Sequence, residues 1–91
     1  MEGEPPNGLP ALDPAARVYP ASWRDAAIRR LFDPALNGIR CPGCDGVLAG
    51  RRGLSALQAD HIVPWSRAGQ TTWSNLQLLC RACNIRKSNR V

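Results

Sequence analysis

The 91-residue sequence predicts a small α+β domain pinned by a structural metal. Three observations carry that reading. Cys41-Pro-Gly-Cys44 and Cys80-Arg-Ala-Cys83 repeat one Cys-x2-Cys spacing, an amphipathic helical stripe precedes them, and alternating and apolar runs lie between them. Tetrahedral zinc takes four thiolates at about 2.3 Å, and a two-residue spacer lets one tight turn supply two of them. The competing readings are buried free cysteines or a redox dithiol, and no thioredoxin-like βαβ pattern surrounds either pair to support the second. A core in so short a chain supplies only about 3–5 kcal/mol, so a metal staple has a physical use.

The elements follow in order. Residues 1–20 hold five of the eight prolines and two glycines with no apolar period, which predicts a flexible proline-rich arm or linker outside a domain spanning 21–91. Ser22 to Phe32 predicts a helix with Ser22 and Asp25 as a capping-box-like start, and with Trp23, Ala26, Ala27, Arg30 and Leu31 on one stripe. Asp33-Pro34 ends it and Asn37-Gly38 turns the chain. Ile39 to Val47 carries the first cysteine pair as a knuckle. Gly50 to Gly53, with Arg51 and Arg52, reads as an exposed basic turn.

Leu57 to Val63 predicts a strand, with Leu57, Ala59 and His61 on one side and Gln58, Asp60 and Ile62 on the other. Pro64 closes it. A loop with Gly69 leads to Leu76–Leu79, a run too short for its period to separate strand from helix approach. Arg81 to Arg90 predicts a terminal basic helix.

The formal charge is +5, from twelve Lys and Arg against seven Asp and Glu. It falls to about +3 once four thiolates and one divalent zinc are counted. That moderate excess favours a polyanion such as nucleic acid. No apolar run is long enough to span a membrane, and the N-terminus shows no apolar signal region, so the expectation is a reducing cytosol.

Thirty-five residues separate the two cysteine pairs, more than the 15–20 of a simple zinc ribbon. Within that gap lie Asp60-His61 and Asn75, and Asn84 follows directly on Cys83. Carboxylate and amide oxygens can hold a second, harder metal, and an imidazole can activate a water. Consecutive helix residues turn by roughly 100°, so Cys83 can face the structural zinc while Asn84 faces another site. Lys87, three residues on, shares the face of Asn84.

The run Asp60-His61-Ile62-Val63-Pro64-Trp65-Ser66, then Asn75-Leu76-Gln77-Leu78-Leu79-Cys80, then Cys83-Asn84 and Lys87-Ser88, resembles the HNH endonuclease family in its zinc-bearing branch. The resemblance covers about Ile39 to Asn89. It implies a small ββα-metal fold, of the His-Me finger or treble-clef-like kind, with an extra N-terminal helix and a Cys41, Cys44, Cys80, Cys83 zinc. It also implies one-metal hydrolysis of DNA phosphodiesters, with His61 as general base, Asn75 orienting His61 or its loop, and Asp60 and Asn84 holding the catalytic metal.

The family's final His is Asn84 here, an H-N-N variant. Two oxygen ligands suit Mg²⁺ or Mn²⁺ and suit Zn²⁺ poorly. Adjacent strand residues point to opposite faces, so Asp60 and His61 can share a site only where the strand twists, bulges or ends. Lys87, Arg86, Arg67, Arg51 and Arg52 are the expected phosphate contacts, with Arg81 and Arg90 beside them. Double-stranded DNA is the expected partner, cut one strand at a time by a monomer. Trp65 and Trp73 are expected to pack over the zinc region. The alternative is a zinc module that grips nucleic acid without cutting it.

Overall fold

A computed structural model describes Met1 and residues 4–88. Helix α1, Ala21–Leu31, leads to the antiparallel hairpin β1, Gly38–Arg40, and β2, Val47–Ala49, which carries the first cysteine pair. Helix α2, Gly50–Ser55, packs on that hairpin. Strands β3, Gln58–His61, and β4, Leu76–Leu79, form a second antiparallel hairpin across the loop with Gly69. Helix α3, Arg81–Ser88, closes against β3. The β-hairpin followed by a helix, with four clustered cysteines, is the α+β arrangement expected from the motif order.

Trp23, Ala26 and Ala27 of α1 are buried against Leu57, Leu76, Leu78 and Trp73, so the helical stripe faces the β3–β4 hairpin. Arg30 and Leu31, at the far end of that stripe, are exposed. The start of α1 differs from the capping-box expectation. Pro20 occupies the N-cap and no side chain caps it, because the helix begins at Ala21 and draws Ser22 into its first turn. Proline suits a helix start, since its missing N–H would have no partner there.

Two elements correct the sequence reading. Gly50 to Gly53 begins a helix rather than forming a turn, although glycine costs about 1 kcal/mol per helical position. Tertiary contacts overcome that cost. The Arg24 guanidinium on α1 donates to the carbonyls of Leu57 at 2.7 Å, Ser55 at 2.8 Å and Leu54 at 3.1 Å, capping the end of α2.

The N-terminal segment does not stand off the domain as a flexible arm. Its aperiodic prolines give it no regular element, yet Met1, Leu9, Leu12 and Tyr19 pack against the core. Its unpaired carbonyls are satisfied by the body of the fold. Pro10 O accepts from Trp23 Nε1 at 3.0 Å, Pro14 O from Thr71 N at 2.8 Å, and Ala16 O from the Thr71 hydroxyl. Residues 10–19 therefore form a strap over α1 and the loop that joins β3 to β4.

Candidate metal centres and active-site cleft

The four cysteine sulfurs all lie within 4.8 Å of one another. Zinc–sulfur bonds of 2.3 Å in a tetrahedron place sulfurs about 3.8 Å apart, and Cys44 Sγ and Cys80 Sγ stand at 3.9 Å. The donor set fits structural zinc. Backbone N–H groups point at the sulfurs, from Cys80 to Cys41 Sγ at 3.4 Å and from Gly46 to Cys44 Sγ at 3.4 Å. Burial raises the Cys41 thiol, but backbone hydrogen bonds from Cys80, Gly43 and Cys44 outweigh it and bring it down to about 6. Hydrogen bonding with Cys80, then burial, pushes the Cys83 thiol up to about 12, a proton that a bound dication would expel. Gly43 is required in this knuckle, since a Cβ there would stand 2.9 Å from Cys83 Sγ.

The alternation read from the sequence is the one observed. Leu57 and His61 are buried on the core side of β3, while Asp60 faces α3. The strand ends at His61, and beyond it Ile62 N bonds to Asn75 O at 2.8 Å. That ending lets both side chains border one cleft of about 330 Å³, lined also by Arg17, Trp65, Ser66 and Lys87.

His61 is 8% exposed. Its Nε2 lies 2.7 Å from Thr71 Oγ1, and the Tyr19 ring sits 4.7 Å from the imidazole, tilted by 37°. The Thr71 hydroxyl gives its single proton to Ala16 O. Oγ1 must then accept from His61, which places the imidazole proton on Nε2 and the basic lone pair on Nδ1. Burial lowers the His61 pKa below its ordinary 6.5; Asp60 pulls it back up and Lys87 adds to the lowering.

Asp60 is gripped from two sides. Gln77, opposite it in the register, donates through Nε2 at 2.9 Å, and Lys87 Nζ lies 2.5 Å from the same Oδ2. Lys87 also reaches the carbonyls of His61 and Ile62. Its side chain is 26% exposed and pairs with Asp60. Asn84 Nδ2 donates to Gln58 Oε1 at 2.6 Å. Asn84 and Lys87 thus share one face of α3, set against the Gln58–Asp60 face of β3.

The Asn75 side chain bonds to the backbone of the loop between β3 and β4. It does not contact His61; it holds the loop. Its Oδ1 accepts from Val63 N at 2.8 Å, and its Nδ2 donates to Val63 O at 3.1 Å and Gln70 O at 2.7 Å. Gly69 completes the turn, because a Cβ there would stand 1.8 Å from Val63 O. Asn75→Ala removes all three bonds. The expected loss is about 1–3 kcal/mol, read as a fall in melting temperature of about 4–8 °C per kcal/mol. Unchanged thermal unfolding would show the loop to be held by other means.

Among the other expected contacts, Arg67 is exposed in the turn after Trp65, and Arg81 is exposed on α3. Arg86 is exposed with its Nη2 3.3 Å from Cys83 Sγ. Arg51 and Arg52 are exposed on α2 and do not line the cleft. Arg90 lies outside the described residues. The tryptophans do not pack over the zinc: Trp73 is buried edge-on to Trp23 in the main core, and Trp65 is 43% exposed at the cleft rim. Thr71, Tyr19 and Gln77 escaped the sequence reading. Only Gln77 had a signal there, as the residue that pairing of the two runs sets across from Asp60.

A family model described as HNH endonuclease matches residues 41–90, more than half of the chain. No curated protein and no solved structure matches it.

Proposed function

Because the chain belongs to the HNH endonuclease family, we propose that it is a metal-dependent endonuclease hydrolysing DNA phosphodiesters, with His61 as general base. The observation that carries this reading is the single cleft in which Asp60, His61 and Lys87 meet. His61 Nδ1 takes a proton from a water placed against the phosphorus, while Thr71 holds the ring by its other nitrogen. Burial keeps the imidazole neutral at pH 7, the form able to accept that proton. Asn75 fixes the loop that walls the cleft.

Asp60 and Asn84 would hold the divalent ion. Their carboxylate and carboxamide oxygens are hard donors suited to Mg²⁺ or Mn²⁺. Bound there, such an ion supplies charge neutralisation for the phosphate and the leaving 3′ oxygen. Lys87 Nζ lies 2.5 Å from Asp60 Oδ2, so a divalent ion held by Asp60 would have to share that carboxylate with the ammonium or displace it. One cleft in one chain serves one strand, so nicking by a monomer is the expected mode, leaving 5′-phosphate and 3′-hydroxyl ends.

The same ion pair favours a second reading. An ammonium already neutralising Asp60 suits a zinc module that binds nucleic acid without cutting it. Incubating zinc-loaded protein with supercoiled plasmid separates the two. Nicked circles are expected with Mg²⁺ or Mn²⁺ and none without added metal. Cutting supported by Zn²⁺ alone would remove the hard-cation assignment, and intact plasmid under every metal would favour the binding module.

A further inference from the structure

We propose that Arg17, carried on the N-terminal strap outside the residues matched by the family model, binds a phosphate of the substrate strand at the mouth of the His61 cleft. The inference deepens the nuclease reading and rests on it for the identity of the ligand. Three observations carry it.

The first is placement. Arg17 lines the same cleft as Asp60, His61 and Lys87, although it lies more than forty residues away in the chain. The second is availability. Arg17 is exposed, and among the described residues no carboxylate pairs with it; its guanidinium carbon sits 5.2 Å from the centre of the exposed Trp65 ring. Lys87, the other cation at the cleft, is engaged by Asp60 when no metal is bound, the state in which the binding test below is made. A guanidinium held over an aromatic face by a cation–π contact spends none of its N–H groups there, and these can grip phosphate oxygens two at a time.

The third is anchorage. Ala16, just before Arg17, accepts the Thr71 hydroxyl proton, and Tyr19, two residues after it, donates its hydroxyl to Thr72 O at 2.7 Å. The backbone carrying Arg17 is therefore tied on both sides to the loop that orients His61. A phosphate held there is held in register with the base. The strap is thus part of the working site, and an arginine on a free arm would have no such register.

The test uses the zinc-loaded full chain and a short fluorescent DNA duplex, with no added Mg²⁺ or Mn²⁺ so that binding is read without cleavage. Each lost phosphate contact lowers the slope of log affinity against log salt by about 0.9. Arg17→Gln is expected to lower the slope by that amount and to weaken binding about tenfold at moderate salt, with the melting temperature unchanged. Arg17→Lys, which keeps the charge but not the planar fork, is expected to retain the slope and to recover only part of the cleavage seen with Mg²⁺. An unchanged slope and affinity in Arg17→Gln, or cleavage by Arg17→Gln equal to wild type, would overturn the proposal. Absence of cutting by the wild type defeats the nuclease reading instead, and the salt slope still decides whether Arg17 contacts DNA.

Discussion

Replacing His61 by alanine is expected to slow metal-dependent plasmid nicking by about 10²–10⁴-fold, the range lost when a positioned general base is removed. DNA binding should survive, since Arg17 and the exposed arginines of the surface are untouched. His61 is the only histidine in the chain, so no neighbouring imidazole can substitute for it. The variant also deletes a buried ring packed against Tyr19, and thermal unfolding must be followed alongside the rate. Thr71→Val makes a sharper control. It leaves the imidazole in place but removes the acceptor that assigns its proton to Nε2. Nicking by His61→Ala at the wild-type rate would remove the imidazole from the chemistry altogether.

The pH dependence follows from the same burial. The folded pKa of His61 is depressed, chiefly by desolvation. The basic form therefore persists below pH 6.5, and the acid limb of kcat/KM is expected beneath the ordinary histidine value. The stability linkage has the matching sign. Above pH 6.5 neither state binds the proton and stability is full; as pH falls, the unfolded chain protonates first and stability drops through the folded pKa. A limb displaced above 6.5 would mean that the Asp60 charge outweighs burial.

How far the site could be read from residue order depends on which interactions are local. The β3 alternation placed His61 and Asp60 on opposite faces, and Pro64 signalled the strand end that reconciles them. Cysteine spacing announced the staple because two thiolates per tight turn is a short-range constraint. The Gly50–Ser55 helix was not legible, since its stability comes from Arg24, some thirty residues earlier, rather than from its own glycine-bearing sequence. The strap was hidden for the same reason. Aperiodic prolines exclude a helix or strand, but they say nothing about whether Tyr19 finds a ring to cover.

Lys87 shows the limit of helical spacing. Its separation from Asn84 put it on the face that meets Asp60, as observed, but spacing cannot tell an ammonium that meets phosphate from one that meets Asp60. The cross-strand partner Gln77 and the helix-to-strand bond between Asn84 and Gln58 complete a polar layer between β3 and α3. That layer is held in place from below by the cysteines at the start of α3.

Removal of zinc is accordingly expected to abolish the fold and the site together. The apolar contacts around the staple are few: Cys41, Leu79 and Cys83 are the buried members, with Leu48 and Cys80 packed beside them. Structural zinc in small domains contributes on the order of 10–16 kcal/mol of apparent binding energy, against about 3–5 kcal/mol from a core of this size. The metal is the larger quantity, so the apo chain should lack a cooperative melting transition, and near-ultraviolet circular dichroism should collapse on chelation. Cys41→Ser should be as severe as chelation. It weakens a ligand that is fully buried and that accepts the Cys80 N–H. Cys44, exposed on the knuckle, is the ligand whose loss should be best tolerated. Because Cys83 precedes Asn84 and lies one helical turn before Lys87, unpinning α3 also withdraws the face that meets Asp60. Nicking should therefore disappear at the same chelator concentration as the melting transition, even with Mg²⁺ restored in excess. A chain that keeps its transition after stoichiometric zinc removal would show that the two hairpins and α1 suffice for folding without the staple.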